Sequence, residues 1–360
     1  MMILGLDLGQ SKTAWEWLDN VTGEVREGTV RMADEALRKL FSRLAPDLVV
    51  MEIGPLAARV HDLALAPQRQ VLVADATQDA WKWKNVKRKT DADDAHKLVH
   101  LALLNQINAV HIPAPAVRAH RQLLEYRAAL VADVTRTKNR IRAALLPQGI
   151  IWAKGKTGWT AGAQAQLAEW AKPLADCEPL ELWRGQVHNA LAQLAAQEQQ
   201  LAEVTAKLDA LAAGDVRVKK LRTIGGIGPR TAEVLVAVLD QPRRFKSRRQ
   251  VSAYGGLVPR RYQSGQMDRN GRITKRGSPL LRQMLNQAAW SAVRCNPELR
   301  AFYLRLGGDQ KKRRKQAIVA VMRKLLVIGW ALLRDQTVYR PRPLPSQVAA
   351  QQAPAPPTAA

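Results

Sequence analysis

Four carboxylates stand where strands and helices begin or end. Asp7 closes an apolar run inside GLDLGQSKT, Glu52 interrupts the apolar segment VVMEIG, and Asp91 and Asp94 lie in KTDADDA. A spacing of three puts Asp91 and Asp94 on one face of a helix start. Taken singly, an acid at a strand end is usually a turn or cap residue, and Asp91 could equally cap a helix running on from Asp94. Taken together they carry more weight, because a charge inside an apolar strand is costly without a partner. Carboxylates gathered at strand ends repel one another unless a cation joins them. Such a set of oxygen donors suits two Mg²⁺ or Mn²⁺ ions, which can clamp the attacking and leaving oxygens of a phosphodiester.

A second group of residues is basic and glycine-rich. The segment RTIGGIGPRTAEVLVAVLD has a tight turn at Gly225, Gly226 and Gly228, a proline at the start of a helix, and an apolar-rich helix behind it. It has the form of a helix-hairpin-helix element, whose turn offers backbone N–H groups to a phosphate. A plain packing corner between two helices has the same pattern. Lys219, Lys220, Arg222 and Arg230 beside the turn favour a nucleic-acid contact. Arg260, Arg261, Arg269, Arg272, Lys275 and Arg276 follow, interleaved with glycines and few acids. Ser264 sits among them, in a glycine-bounded loop. It is either a hydrogen-bond donor to phosphate or a nucleophile that takes one strand as a phosphoserine ester. Ser278 is a weaker rival, because GSP ahead of a helix is ordinary capping.

These residues need elements to hold them. The apolar run from Ile3 to Leu8, residues 13–18 and residues 25–30 read as three antiparallel strands. Residues 33–44 carry helical spacing, 48–53 and 70–74 read as buried strands, and 59–65 between them looks helical. A meander followed by alternation indicates a mixed α/β sheet. The hairpin from Asp7 to Thr13 also occurs in actin-like ATPases and sugar kinases. Those need a second, similar lobe, and the second half here is basic and helical.

Residues 117–146 form a long helix with Leu124, Val131, Val134, Ile141 and Leu145 on one side and Arg121, Arg127, Arg136, Lys138, Arg140 and Arg142 on the other. Residues 148–185 look irregular and hold four tryptophans. Val187, Leu194, Leu201 and Leu208 then recur every seven residues, with Ala190, Gln197, Val204 and Leu211 three places after each. That seam fits either an intramolecular helical hairpin or a dimerising coiled coil.

The 360 residues carry 56 Lys and Arg against 31 Asp and Glu, a net charge of +25. Residues 1–110 have a net of −1, residues 111–213 of +3 and residues 214–360 of +23. The rear is therefore the electrostatic grip on a polyanion, with nucleic acid the default, and the near-neutral front holds the candidate chemistry. The 47% hydrophobic content excludes wholesale disorder. Cys177 and Cys295 make neither a disulfide framework nor a four-ligand zinc site. No uninterrupted apolar run is of spanning length, and the start reads as a strand, not a signal peptide, so a cytoplasmic location and no membrane partner are expected. The expected divisions are 1–110 (its core reaching towards 146), 111–213, 214–335 and a disordered Pro/Ala-rich tail at 336–360.

In order along the chain, LDLG, MEIG, KTDADDA, TIGGIGPRTA, AYGGLVP, SG and ITKRG resemble the signature of the Piv/MooV-type insertion-sequence transposases, the insertion sequence 110 family. The resemblance spans about residues 1–335. It implies an RNase H-like, RuvC-type front domain with Asp7, Glu52, Asp91 and Asp94 as a metal-binding D-E-D-D set. A helical coiled-coil connector and a mostly helical transposase domain with a helix-hairpin-helix-like element would follow. It also implies Ser264 as the nucleophile of a DNA recombinase that cuts and rejoins strands through a phosphoserine intermediate. Implied partners are donor and target DNA, a noncoding bridge RNA and further copies of the chain, as a dimer or a synaptic tetramer. The alternatives are a RuvC-like junction-resolving endonuclease, which uses the acids and water, and a non-catalytic nucleic-acid-binding protein.

Overall fold

The computed structural model describes residues 1–75, 90–265 and 267–341. The chain divides into two compact units, Met1–Ala114 and Pro115–Ala360.

The first unit is a mixed sheet between helices. Strands β1 (Met2–Leu8), β2 (Lys12–Asp19) and β3 (Val25–Arg31) form the meander. Helix α1 (Asp34–Leu44), strand β4 (Leu48–Glu52), helix α2 (Ala57–Ala64), strand β5 (Gln70–Ala74) and helix α3 (Asp91–Leu103) follow. The five strands lie in the order β3-β2-β1-β4-β5. β1, β2 and β3 pair antiparallel, whereas β1–β4 and β4–β5 are parallel. Alternation along the strands sends Leu4, Leu6, Val49, Met51 and Val73 to one face, under Leu37, Leu40 and Phe41 of α1 and Val60 of α2. Ile3, Leu48, Val50 and Ala74 go to the other face, where Leu98 and Val99 of α3 cover them.

The second unit is mostly helical. Its helices are α4 (Pro115–Leu145), α5 (Ala161–Trp170), α6 (Leu182–Ala213), α7 (Val216–Leu221), α8 (Pro229–Leu239) and α9 (Arg248–Tyr254). A hairpin of β6 (Pro259–Ser264) and β7 (Met267–Ile273) precedes α10 (Pro279–Cys295), α11 (Pro297–Arg305) and α12 (Arg314–Asp335).

α4 and α6 pack as an antiparallel pair: Arg127 reaches Thr205, Thr137 reaches Gln197, and Arg140 reaches Gln193. The glutamine that breaks the heptad seam is matched by the buried Thr137 hydroxyl, which donates to its Oε1 at 2.9 Å. On α4 the expected apolar side needs one correction. Val131 is exposed and Leu130 is buried in its place, because the buried positions follow the helix's own turn and not a strict seven-residue repeat. The stretch expected to be irregular contains α5 and short 3₁₀ turns. Its four tryptophans pack with Ile141, Leu145, Leu167 and Val187 at one end of the pair.

α8 is buried from Thr231 to Leu239 and forms the centre of the larger core with α10 and α12. α12 is long and apolar enough by composition to cross a membrane. It is instead a core helix, burying Val321, Leu325, Leu326 and Leu333 within this unit, and Arg323 and Lys324 interrupt its middle. Residues 336–341, placed by the sequence in a tail, are tied down. Lys220 donates to the Gln336 carbonyl, Thr223 accepts from the Tyr339 N–H, and the Tyr339 hydroxyl donates to Glu298. The remainder of the expected tail, 342–360, lies outside the described residues.

Candidate active site and nucleic-acid surface

The parallel pair β1–β4 decides where the first two acids meet. Leu6 stands beside Met51, so the next residues along, Asp7 and Glu52, are neighbours at the carboxyl ends of adjacent strands. Leu6 and Met51 face α1 and α2. By alternation Asp7 and Glu52 face the side covered by α3. Both are half-buried.

The direction of α3 brings the other two acids to the same end. A Cβ on Gly5 would lie 2.5 Å from the Ala95 carbonyl oxygen and 2.8 Å from Val99 Cγ2, so α3 rests directly on β1 at this glycine. Ala95 lies over Gly5, while Leu98, Val99 and Ala102 pack with Ile3 and Leu48 at the start of the strands. The first turn of α3 therefore reaches towards Asp7 and Glu52. Asp91 and Asp94 continue the buried stripe of Ala95 and Leu98 backwards by one turn. The third aspartate has another task. Thr90 and Asp93 form a capping box, with the Asp93 carboxylate accepting from the Thr90 hydroxyl at 2.7 Å and the Thr90 N–H at 2.9 Å. Those bonds hold the Asp93 carboxyl below its ordinary range. Thr90, not Asp91, is the cap; Asp91 is exposed and lines a cavity with Lys12, Ala14 and Glu16 of β2 and Thr29 of β3.

Among the described residues no three carboxylate, imidazole or thiolate groups close into a metal cage. The donor chemistry of the four acids still fits a hard divalent cation, which takes carboxylate oxygens from flexible, incomplete shells.

One neighbour escaped the sequence reading. Glu16, only 5% exposed, stands beside Gly5 in the β1–β2 register and accepts from His96 of α3 at 2.9 Å. The pair ties α3 to β2 two residues beyond Asp94. Its signal in the sequence was an acid at a buried position of an alternating strand, AWEWL.

Ser264 ends β6 at the tip of the hairpin, paired with Met267 across the turn. It belongs to a strand end and not to a loose loop, and every residue of β6 is exposed. Gly265 at the tip has φ +52°, a left-handed conformation that glycine adopts without penalty. The hairpin is clasped at its base. A Cβ on Gly256 would meet the Arg276 carbonyl oxygen at 2.0 Å, and one on Gly277 would meet the Tyr254 carbonyl oxygen at 2.0 Å. The glycines of AYGGLVP and ITKRG thus let two backbone segments touch. Ser278 caps α10, accepting from the Leu281 N–H at 3.2 Å.

The basic residues divide by what they touch. Arg260, Arg272, Lys275 and Arg276 are exposed around the hairpin, and Arg269 lies over the Tyr262 ring. Arg261 is held across the hairpin by Asp268 at 2.6 Å, a bond that pushes the guanidinium up and the carboxyl down. On α4, Arg136 pairs with Asp133, Lys138 with Glu198 at 2.7 Å, and Arg140 with Gln193, so part of this row serves the helix pair. Lys138 and Arg142 also stack on Trp159.

Lys219 and Arg222 are exposed beside the glycine turn. Gly226, at φ +98°, lets the turn pack against α10, because a Cβ there would meet Ala292 backbone at 2.5 Å. Gly228 precedes α8 in open space. Arg230 departs most from the expected role. Asp209 and the fully buried Glu233 hold it, so it is committed within the unit.

Two family models match the chain. A transposase model of the DEDD, IS110 type matches residues 4–148, and the Transposase IS116/IS110/IS902 family model matches residues 218–304. A Sinorhizobium fredii protein named as a transposase, y4rJ, is 30% identical over 316 residues, 81% of this chain and 78% of its own length.

The chain belongs to the IS110 family of transposases.

A Pseudomonas aeruginosa protein named "Probable family 20 transposase" is 28% identical over 343 residues, 94% of this chain and 98% of the relative. The pilin gene-inverting protein of Moraxella lacunata is 33% identical over 157 residues, 43% of this chain and 46% of that protein. The transposase is accordingly an enzyme that cuts and rejoins DNA. All four acids of the strand-end set fall within the first match and Ser264 within the second.

Proposed function

We propose that the transposase cuts one DNA strand through Ser264 and rejoins it through a phosphoserine ester, with Asp7, Glu52, Asp91 and Asp94 holding divalent cations, Mg²⁺ or Mn²⁺. The observation that carries this reading is the β1–β4 register. It puts Asp7 next to Glu52 on the face that α3 covers, and Asp91 and Asp94 lie in the first turn of that helix. The strand order β3-β2-β1-β4-β5 supports an RNase H-like front domain.

In the cutting step the Ser264 Oγ–phosphorus bond forms as the bond from phosphorus to the neighbouring nucleotide's oxygen breaks. The serine proton leaves Oγ, and the released nucleotide ends as a hydroxyl. Attack by a strand-end hydroxyl on the ester reverses the exchange, restores a phosphodiester and returns Ser264, so no bond energy is lost. A bound divalent cation would stabilise the charge that gathers on the phosphate oxygens. The exposed Arg260, Arg269, Arg272, Lys275 and Arg276 would hold the strand's phosphates at the hairpin, and Lys219, Arg222 and the turn before α8 would hold them further along. A bridge RNA pairing with donor and target DNA would leave the protein to read backbone shape and charge. In that scheme the acids of one protomer act beside the serine of another, and the enzyme works as a dimer or tetramer in the cytoplasm.

The test is a nicked donor substrate, which traps a covalent protein–DNA species on a denaturing gel. The parent enzyme with Mg²⁺ should give the band, and Ser264→Ala should give none. Free cut ends without a band would select the junction-resolving nuclease instead.

A further inference from the structure

A large cavity is lined by none of the residues proposed above to cut or grip DNA. It is a groove of about 1300 Å³ in the second unit, formed by α9, α11, α12 and the strap at 336–340. That exceeds the roughly 300–1,000 Å³ typical of small-molecule sites. Among the described residues five cations line it: Arg248, Arg249, Arg323, Lys324 and Arg340. The one acid among those lining residues is already engaged. Glu298 accepts from Lys324 at 2.9 Å and from the Tyr339 hydroxyl at 2.8 Å. Arg248, Arg249 and Arg340 are exposed. Like charges collected in one concavity oppose folding unless a polyanion meets them. The two cations that break the apolar run of α12 both line this groove, Lys324 held by Glu298 and Arg323 donating to the Ser252 hydroxyl at 3.1 Å, so the uncommitted charge is that of Arg248, Arg249 and Arg340 on the rim.

The floor is apolar, with Phe302, Val327 and Ile328. A duplex presents phosphates and sugars outward and has little use for a recessed apolar floor. A single strand presents both charge and bare base faces. The wall is built in. The strap is pinned at Gln336 by Lys220 and at Tyr339 by Thr223 and Glu298, which carries Arg340 to the rim.

We infer that this groove binds a single-stranded nucleic-acid segment, with phosphates on the cations of the rim and bases against the floor. The reading of the chain as a nucleic-acid enzyme supplies only the choice of polyanion. The shared ligand chemistry is the phosphodiester backbone, of DNA or RNA.

The test uses the full chain with Arg248, Arg249 and Arg340 changed together to alanine, titrated with single-stranded oligonucleotides of DNA and of RNA over a range of salt. Each contact contributes about 0.7 to the salt slope on single strands, so three removed contacts flatten it by about 2. Referred to 1 M salt, that is roughly a 100-fold loss of affinity at 0.1 M. The matching lysine triple variant keeps the charge and should keep the parent's slope. A loss confined to DNA or confined to RNA names the source of the strand. An unchanged slope in the alanine variant, an equal loss in the lysine variant, or a loss seen on duplex alone would overturn the inference. So would an equal effect on polyglutamate. Ser264→Ala should bind as the parent does here, so failure of the groove and failure of the serine chemistry are read separately.

Discussion

Gly5→Ala probes the contact that aims the acids. The added Cβ would stand 2.5 Å from the Ala95 carbonyl oxygen, 2.8 Å from Val99 Cγ2 and 3.3 Å from Leu98 Cβ. Comfortable heavy-atom contacts lie near 3.5–4.0 Å, so α3 must retreat by about 1 Å. The nearest atom is backbone, so no side-chain rotation relieves it. Overpacking of this kind costs about 1–3 kcal/mol of stability. In the proposed site the retreat would also shift Asp91 and Asp94 relative to Asp7 and Glu52. A misplacement of about 1 Å costs on the order of 10²-fold in rate, or about 2.7 kcal/mol of barrier. The assay is single-turnover cleavage of a donor substrate, alongside urea unfolding and oligonucleotide binding of the same protein. Cleavage should fall about 100-fold, with binding unchanged because the cationic surfaces lie in the other unit. Full-rate cleavage by a variant destabilised by the expected 1–3 kcal/mol would refute the claim that α3 positions the acids.

Alanine at Asp7, Glu52, Asp91 or Asp94 should each lower cleavage by at least about 10²-fold, because several kcal/mol of charge stabilisation depend on the set. Full activity in two of them, with a divalent cation still required, would remove the acids from the chemistry. Burial pushes the Glu233 carboxyl from its ordinary 4.5 up to about 7. From about pH 5 to 8 the unfolded chain ionises before the folded one, so stability should fall as pH rises, by up to about 3 kcal/mol. Glu233→Gln should flatten that profile in denaturant titrations, and a parent profile already flat over this window would contradict the burial argument. Gly277→Ala, whose Cβ would meet the Tyr254 carbonyl oxygen at 2.0 Å at a backbone φ of +78°, should open the clasp under the hairpin. Adduct formation should drop more than tenfold, and the variant should lose protease resistance at residues 259–273 first; equal resistance there would argue against a clasp.

Much of the first unit, with α4 of the second, was legible because it obeys simple periods. The strand expected at 70–74 is β5, the helix at 33–44 is α1 with its first residue one later, and the long helix at 117–146 is α4 shifted by one or two residues. The face shared by Asp7 and Glu52 was not legible, since it depends on a register between strands forty residues apart. Nor was the difference between Asp93 and its neighbours, which a capping box decides. At 148–185 short 3₁₀ turns carry no period, and only packing shows why four tryptophans gather there. Ser264 read as a loop residue because glycine and arginine mask a strand whose two faces are both exposed. Arg230 and Arg248 look alike in sequence. One is spent on Glu233, and the other lines an open groove.

The most direct test of the serine chemistry is the identity of the residue that carries the DNA. A trapped protein–DNA adduct, formed with Mg²⁺ on a nicked donor and digested with protease, can be sequenced by mass spectrometry through its nucleotide-linked peptide. The expected result is a phosphodiester on Ser264, at the tip of the β6–β7 hairpin, and loss of that peptide in both Ser264→Ala and Asp7→Ala. A nucleotide attached to any other residue, or cleavage that leaves both DNA ends free of protein, would contradict it.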